Sequence, residues 1–501
     1  MVELKLHDQR HLRMLEQARE IAREHFRENV PTLVICHADG DGISSGALMY
    51  MGLWRMGCDV DFLIIHDLSE PVIEKIRRKM NEGYHRAVFC DFGAGNESVI
   101  AREFPNYVIL DHHEPEVWVS ERHLNPIFHG INDMTECSGS VTCFLLIYSL
   151  FDKEFWDTVW GRKIAALAVL GAVADLQNVK YGRLIGLNRD VLVFAKEIGA
   201  VDFWEDIGIY GRYTKPLPVA IAHHSPKLPE PLSDPSKCAA WLISKGFKIY
   251  EEENGHRYWR RLKDLSEEEK KRLLEELEVF LATSVNNEDE FVEYVESLRN
   301  EVYELTVYKG SELEKFSLDP RELATFLNSC TRQSDYETAF SLLWGDIVAV
   351  EKAMKNYRLY RSLIREALEA VRSGFVKPQY YNNFVFYNFA NMINEKVTGV
   401  IATKLMKREL KNRRIPHVVA AYHTDPAMRG MVKISFRAPL ELSEKNLNVG
   451  KFFAGLKEIF RKIDPRVDGG GHKAACAITI PIKYLPKVLE LLDEYLSSVL
   501  E

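Results

Sequence analysis

The segment TLVICHADGDGISSG, residues 32–46, places three potential metal ligands directly after an apolar run of β type: His37, Asp39 and Asp41. Carboxylates packed beside a hydrophobic strand are costly to bury unless a cation is present. Groups of the same kind follow other apolar runs further along the chain: Asp91 in FCDFGAG, Asp111, His112 and His113 in ILDHHEP, and Asp175 at the end of AALAVLGAVADLQ. The pattern indicates a site for positively charged ions.

These carboxylates and imidazoles exceed what one ion can bind, and they fit two adjacent divalent ions that share a carboxylate. Mixed oxygen and nitrogen ligands favour Mn²⁺, with Mg²⁺ or Zn²⁺ as weaker alternatives. Two ions about 3.5–4 Å apart generate hydroxide and stabilise the attacking and leaving oxygens at phosphorus. The residues therefore predict a two-Mn²⁺ site, with Mg²⁺ as the alternative, and phosphoester hydrolysis.

The elements that must position these residues alternate in type along the first two hundred residues. Short apolar runs at 32–36, 59–65, 86–90 and 106–110 are separated by helical periods, which predicts βαβ units and a mostly parallel sheet. Three of these four strands end in acidic or histidine-bearing turns. Because ligands bind outside the carboxyl ends of parallel strands, we expect the three turns to meet at one edge of the sheet.

Each motif also has a purely structural interpretation. A DHH tripeptide occurs often by chance, GAVAD carries little information, and Asp91 could cap a helix. Their order along the chain and their shared position at strand ends favour function over these interpretations.

The chain length of 501 residues predicts two or three domains. We expect an α/β protein in which a parallel-sheet domain with an N-terminal helix spans 1–235 and a smaller mixed α/β domain spans 376–501. Between them we expect a helical insertion, 236–345, that could bind a partner, and a long connecting helix, 346–375. The proline-rich segment 223–237 is predicted to be a linker, because prolines exclude regular structure.

Composition narrows the class of protein. The net charge of −8 excludes a surface that binds nucleic acid everywhere, but it permits a local basic groove. Basic residues at helical spacing within 346–375 fit either a solvated face or such a groove: Lys352, Lys355, Arg358, Arg361 and Arg365. The eight cysteines form no CxxC pair and are expected to be reduced core residues. The longest apolar run, 164–174, is too short to span a bilayer. We therefore predict a cytoplasmic protein without membrane contact.

Two groups of motifs together resemble a known family. HADGDGISSG, DFGAG, DHHEP and GAVAD resemble the four motifs of the DHH phosphoesterase superfamily, and ISFRA with DGGGHKAACA resembles its DHHA1 domain. The resemblance covers about 33–175 and 380–500. Length and the helical insertion are most similar to archaeal RecJ-like single-strand exonucleases, which are relatives of a eukaryotic replisome scaffold of the same fold.

The resemblance implies a role for each site residue. One ion would be bound by His37, Asp39 and Asp91. The second would be bound by Asp41, Asp91, His112 and Asp175. Asp91 would bridge the ions, Asp111 would complete or orient the shell, and His113 would support the leaving oxygen. Many relatives carry the first histidine four residues before the first aspartate, where this chain has Ile35.

The resemblance also implies how substrate is held. Arg437 and His472 would bind a substrate phosphate, and Gly469, Gly470 and Gly471 would allow close approach of the backbone. The aromatic run YYNNFVFYNF, 380–389, could stack on bases, although its alternation favours core packing.

The implied activity is that of a Mn²⁺-dependent exonuclease on single-stranded DNA, or RNA, in DNA replication or repair. One alternative is a phosphodiesterase acting on oligonucleotides or cyclic dinucleotides, or a nucleotide phosphatase. A second is an inactive replisome scaffold. A GINS-type replication complex and a repair helicase are both compatible partners, and cleavage polarity is left open by the sequence.

Overall fold

The computed structural model describes residues 2–117, 120–253, 255–409, 415–439, 442 and 447–500. The strands are β1 Thr32–His37, β2 Val60–Ile65, β3 Arg86–Cys90, β4 Tyr107–Leu110, β5 His123–Leu124, β6 Asp202–Ile207, β7 Tyr250–Glu253, β8 His256–Trp259, β9 Arg299–Glu304, β10 Gln379–Tyr380, β11 Val385–Asn388, β12 His417–Tyr422, β13 Met431–Arg437, β14 Asp468–Gly471 and β15 Ala475–Pro481.

The helices lie before, between and after these strands. They are α1 Gln9–His25, α2 Gly40–Arg55, α3 Glu70–Met80, α4 Glu97–Glu103, α5 Gly139–Leu150, α6 Val159–Ala174, α7 Gly186–Glu197, α8 Leu217–Ala222, α9 Pro235–Ser244, α10 Glu267–Ser284, α11 Glu288–Leu298, α12 Pro320–Thr331, α13 Tyr336–Leu342, α14 Ile347–Arg372, α15 Thr398–Glu409, α16 Val449–Arg461 and α17 Leu485–Leu500.

The first sheet has the strand order β2-β1-β3-β4-β5, and its neighbouring strands are parallel. Its central strands β3 and β4 are buried along their whole length, which explains why they are continuous apolar runs in the sequence. All four predicted strands are confirmed, and the mixed α/β class is confirmed with them. Because β1, β3 and β4 are neighbours, the three turns that follow them lie at one edge.

The second sheet has the order β10-β11-β12-β13-β15-β14 and is mixed, with β11 and β12 parallel and its other pairs antiparallel. The face of β13 that carries Val432, Ile434 and Phe436 packs against α16 and α17. Residues from α14 and α15 pack with Val419 and Ala421 of β12 in a separate core. The residues of β13 that alternate with Val432, Ile434 and Phe436 therefore lie on the opposite face, away from α16 and α17.

The region between the sheets is helical, as predicted, but it is divided between two cores. Residues of α12 and α13, including Leu323 and Phe340, belong to the core of the first sheet. Residues from Ile207 to Leu298 form a core of their own. The long helix predicted within 346–375 is α14, which Asp346 caps by accepting a hydrogen bond from Val348 N. The predicted domain bounds stay a prediction.

The proline-rich segment is packed, so the predicted linker at 223–237 is wrong. Leu228 and Leu232 are 2% and 0% exposed and lie in the same core as α8 and α10. Helix and strand are absent from 224–234, where the prolines lie, whereas Pro235 is the first residue of α9. The two leucines supply enough apolar surface to hold the segment against the protein.

Other predictions made from composition can be compared with the structure. All eight cysteines are buried free thiols. The five basic residues of α14 are exposed, which fits a solvated face and a basic groove alike, so both interpretations stay open. In the aromatic run, Phe384, Phe386, Tyr387 and Phe389 are buried, which confirms core packing. Across the described ranges, every helix is too short or too polar to cross a membrane.

Candidate metal centre and phosphate site

The first two aspartates are positioned by helix N-termini. Asp39 caps α2 and accepts a hydrogen bond from Gly42 N at 2.9 Å. Asp41, in the first turn of α2, is 3% exposed and accepts hydrogen bonds from Gly139 N at 2.8 Å and Ser140 N at 3.0 Å, at the start of α5. Backbone amides and helix dipoles at these ends stabilise carboxylates, so both side chains are fixed without a cation.

Asp91 lies between the other ligands. It follows β3 directly with φ of +55°, and Gly139 leaves it room, since a Cβ there would come within 2.4 Å of its Oδ1. His112 Nε2 is 3.3 Å from Asp91 Oδ1, and His37 Nδ1 is 3.8 Å from Asp91 Oδ2. The side chain thus contacts both predicted ligand groups, as a bridging carboxylate must.

The tautomer of His112 follows from its hydrogen bond. Its Nδ1 lies 2.9 Å from the carbonyl oxygen of Asp133, which can only accept, so Nδ1 carries the proton. Nε2, the nitrogen left to face an ion, points to Asp91 and Asp175, with 3.8 Å to Asp175 Oδ2. Gln177 donates to both Asp175 Oδ2 and Asp133 O at 2.8 Å, so it orients the two groups together. Such partners commonly orient metal ligands.

The electrostatics of this cluster are unbalanced without a cation. Burial raises the pKa of Asp41, raises that of Asp91 well above its usual range, and raises that of Asp175 to about 6. Although burial acts in the opposite direction, Asp175, Asp91 and Asp41 raise the pKa of His112 well above 6.5. An accumulation of buried negative charge is what bound cations relieve.

The donor set fits two divalent ions. Three groups of potential ligands share Asp91: His37 with Asp39, Asp41 with His112, and Asp111 with His113. His37 Nδ1 is 2.8 Å from Asp39 Oδ2 and 3.8 Å from Asp91 Oδ2, so an imidazole nitrogen and two carboxylates lie close together. Imidazole and carboxylate together are a donor set that divalent transition metals accept.

Asp111 and His113 form a hydrogen-bonded pair. His113 Nδ1 donates to Asp111 Oδ1 at 2.7 Å, and the backbone N of His112 donates to the same oxygen at 2.8 Å. The other oxygen, Asp111 Oδ2, accepts a hydrogen bond from Ala94 N at 2.8 Å. Both oxygens of Asp111 are therefore engaged. Although burial raises the pKa of Asp111, the charges and hydrogen bonds of this environment hold it well below its usual range. This geometry suits an orienting role better than a ligand role.

The second sheet contributes His472 to the same site. Its ring stacks on that of His113 with centroids 4.6 Å apart and lies 5.4 Å from that of His112. Arg437 is at the end of β13, where its Nη2 lies against Gly399 in the first turn of α15. The glycines 469, 470 and 471 form strand β14 at the edge of the sheet, and a Cβ at Gly470 would meet nothing within 4 Å.

Long-range contacts that the sequence did not predict hold the two halves together. Lys457 Nζ donates to Gly95 O at 3.2 Å and to Asn96 Oδ1 at 3.1 Å. Arg461 Nη2 donates to Leu68 O at 2.6 Å, and Asp468 Oδ2 accepts from Leu68 N at 3.2 Å. α16 and β14 are thereby tied to the turns beside the candidate metal site.

Fold and site together define a metal-dependent phosphoesterase built on a parallel sheet, with a second domain closing its cleft. Residues 31–172 match the DHH family, N-terminal domain, and residues 382–498 match the DHHA1 domain. The chain therefore belongs to the DHH superfamily, so the predicted superfamily and its class of metal-dependent phosphoesterases are confirmed. The role of each site residue stays a prediction.

Three comparisons describe its relatives. Uncharacterized protein MJ0831 of Methanocaldococcus jannaschii is 25% identical over 476 residues, 93% of each chain. RecJ from Thermus thermophilus, crystallised with Mn²⁺, is 16% identical with a TM-score of 0.54 over 97% of this chain, which spans only 55% of that RecJ. CDC45 from Entamoeba histolytica is 12% identical with a TM-score of 0.57, over 97% of this chain and 98% of that one. At these identities the two structures show a shared fold.

Proposed function

We propose that the protein is a Mn²⁺-dependent exonuclease that removes terminal nucleotides from single-stranded DNA, with RNA as a second substrate, in DNA replication or repair. The observation that carries the proposal is the stacking of His472 on His113, with centroids 4.6 Å apart. It joins the acidic cluster of the DHH domain and the phosphate-binding residues predicted for the DHHA1 domain in one cleft.

Two ions would be held by residues that the structure brings together. His37, Asp39 and Asp91 would bind one, and Asp41, Asp91, His112 and Asp175 would bind the other. When bound, the ions lower the pKa of water and neutralise charge on the phosphate. Mn²⁺ suits the mixture of imidazole and carboxylate, with Mg²⁺ as the alternative. The structurally similar RecJ was crystallised with Mn²⁺.

His113 is the candidate proton donor to the leaving oxygen. Its Nδ1 donates to Asp111, so the ring is fixed with Nε2 directed away from Asp111. As the bond between phosphorus and the leaving oxygen breaks, Nε2 transfers its proton to that oxygen and the ring becomes neutral.

The closed cleft supports a single-stranded substrate. The walls touch at the histidine stack, and Lys457 and Arg461 tie α16 to the DHH domain. A duplex, whose major groove alone is about 12 Å wide, does not fit between walls in contact. One strand can enter when only its terminal phosphate reaches the histidines.

Two further features bear on biological role. Every expected metal carboxylate is present, which argues against an inactive scaffold despite the CDC45-like fold. The core formed by residues 207–298 carries the acidic helices α10 and α11, a surface for a GINS-type replication complex or a repair helicase. Buried free thiols fit the reducing cytoplasm.

The test is Mn²⁺-dependent digestion of single-stranded DNA and RNA labelled at the 5′ or the 3′ end. A duplex of the same sequence and the Asp111→Ala variant serve as controls. Stepwise degradation that spares the duplex and is lost in the variant supports the proposal and gives the polarity. Hydrolysis of dinucleotides or nucleotide bisphosphates alone would replace it with the small-substrate alternative, and inactivity on all substrates would favour the scaffold.

A further inference from the structure

Two cations, one directly after α12 and one on β13 of the second sheet, lack hydrogen-bond and ion-pair partners in the described part of the chain. Arg332 and Lys433 are both partly buried, and the charged ends of their side chains make no hydrogen bond or ion pair with described residues. Arg332 Nε is buried and unsatisfied. The neighbouring Lys396 is different, because its Nζ contacts Ser334 Oγ at 2.5 Å and Tyr336 Oη at 3.4 Å.

Arg332 reaches the site from the helical region between the two matched domains. It follows α12 directly, and α12 packs beside the first metal motif, since a Cβ at Gly40 would lie 3.5 Å from Asn328 Nδ2. The segment that follows also reaches the second domain, because Ser334 Oγ contacts Nζ of Lys396, just before α15. The charge of Arg332 contributes to the lowered pKa values of Asp39 and Lys433. Neither matched domain includes this residue.

Lys433 extends the row of residues that ends at Arg437. Lys433, Ser435 and Arg437 alternate along β13 and share the face away from α16 and α17. Their partners in register on β15 are small or polar: Thr479, Ala477 and Ala475. Gly470 pairs with Ala477 and has open space where its Cβ would be. Lys433 and Arg437 lie four residues of strand, about 13 Å, apart along this face. Between them Ser435 is buried, with its Oγ 2.8 Å from Thr398 Oγ1 of α15, so Lys433 is a position separate from Arg437.

The two carboxylates whose charges act on Lys433, those of Asp67 and Glu395, make their hydrogen bonds with other residues. Asp67 Oδ1 accepts from Ser69 N and Oγ, and Glu395 Oε2 accepts from Thr424 N and Oγ1 at 3.0 Å. Burial, with the charge of Arg332 next, lowers the pKa of Lys433 to about 8. Unpaired cations withdrawn from water are unfavourable unless a ligand supplies the anion.

We propose that Arg332 and Lys433 form a second phosphate subsite, which binds the internucleotide linkage next to the scissile one. The subsite makes the enzyme prefer a nucleotide chain to a substrate with a single phosphate. This inference rests on the proposed function, and it names the substrate group through which the enzyme would prefer a polymer. An arginine fork and a lysine point charge are the usual protein partners of backbone phosphate.

The test combines protein variants with a neutral linkage in the substrate. Arg332→Gln and Lys433→Gln are compared with wild type on single-stranded DNA 12-mers that carry one methylphosphonate, placed in turn at each of the first three linkages beyond the cleaved end. The matched control is Arg19→Gln, which removes an exposed arginine of α1 paired with Glu16. Bis(p-nitrophenyl) phosphate serves as the substrate with a single phosphate.

For wild type and the control, one neutral linkage beyond the scissile phosphate is expected to lower kcat/KM about 10- to 100-fold, as for a charge-assisted contact. For Arg332→Gln and Lys433→Gln, kcat/KM is expected to fall by the same factor already on unmodified DNA. The neutral linkage should then cause no further decrease in these variants. Their hydrolysis of bis(p-nitrophenyl) phosphate, which has no second phosphate, should fall several-fold less than their hydrolysis of DNA. Equal sensitivity of the variants and wild type to the neutral linkage would overturn the proposal.

Binding separates failure of this inference from failure of the proposed function. Anisotropy of fluorescein-labelled dT12 in EDTA, titrated over a range of salt, requires no turnover. Loss of one phosphate contact should reduce the slope of log K against log salt by about 0.7 in each variant but not in the control. Unchanged affinity and slope would overturn the subsite. If the slopes fall while wild type digests no polymer, the nuclease proposal alone fails.

Discussion

The two walls of the cleft carry opposite charge and are held in different ways. On the DHH side, Asp39, Asp41 and Asp111 each accept hydrogen bonds from backbone amides at helix starts or turns. By contrast, the charged groups of Arg332, directly after α12, and of Lys433, on the second sheet, have no such partner among the described residues. The acidic wall is thus preorganised for cations, whereas the basic wall is completed by the substrate.

The largest effect is expected from Asp91→Asn, which removes the carboxylate shared by the ligand groups. Activity should fall about 10³-fold or more, because both ions lose a ligand. The metal-free protein should become more stable, with a thermal midpoint about 2–4 °C higher, because an unfavourable buried charge is removed. Labelled-strand digestion and calorimetry measure the two effects.

Addition of Mn²⁺ provides the matched control for that prediction. At about 100 times its Kd, an ion stabilises a single site by about 2.7 kcal/mol. Wild type should therefore gain stability with Mn²⁺, and the variant should gain less. A variant that is less stable than wild type without metal would contradict the view that the acidic wall carries excess charge.

The second effect in size is expected from Asp111→Asn, which tests orientation against ligation. Loss of the carboxylate should lower kcat about 10²- to 10³-fold, because His113 loses the partner that fixes its ring and stabilises its charge. Titration calorimetry should still find two Mn²⁺ ions per chain. A stoichiometry of one would show that Asp111 is a ligand, and the orienting role would then be wrong.

A smaller effect is expected where the walls are tied together. Lys457→Met removes the hydrogen bonds to Gly95 and Asn96 while keeping most of the side-chain volume. The cleft should open more readily, which lowers kcat/KM on single strands about 3- to 10-fold and relaxes exclusion of the duplex. Lys487→Met on α17, whose ion pair with Glu490 is exposed, is the control. If both variants leave duplex DNA uncut to the same extent, the hydrogen bonds of Lys457 do not keep the cleft closed.

The smallest effect concerns pH and the metal-free protein. The pKa of Asp175 is raised to about 6 in the folded state, so the folded chain binds this proton more tightly than the unfolded chain does. Its contribution to stability is therefore present at low pH and is lost as pH rises from about 4 to about 6. Asp175→Asn should flatten the dependence of the thermal midpoint on pH in that window. A steeper dependence would show that the sign is wrong.

The sequence predicts the acidic wall much better than the wall opposite. Asp91 and His112 were found because each follows an apolar strand, and parallel strands end at a common edge. Gln177 was missed because its partner Asp133 is 44 residues away, and Lys457 lies 362 residues from Gly95. No local pattern records such contacts.

Two other misses have physical causes. Leu228 was assigned to a linker because the prolines around it dominate the local pattern, whereas burial against α8 and α10 decided its position. Arg332 follows an ordinary amphipathic helix, and only the packing of α12 against α2 brings it to the cleft. Tertiary packing, which adjacent residues do not encode, fixes both.

The most direct test of the two-wall account is a crystal structure with Mn²⁺ and a single-stranded phosphorothioate oligonucleotide, with anomalous differences measured at the manganese edge. The account predicts two manganese peaks that share Asp91, with one substrate phosphate beside His472 and the next linkage beside Arg332 and Lys433. Manganese peaks without contact to Asp91, or a strand bound away from the second sheet, would contradict it.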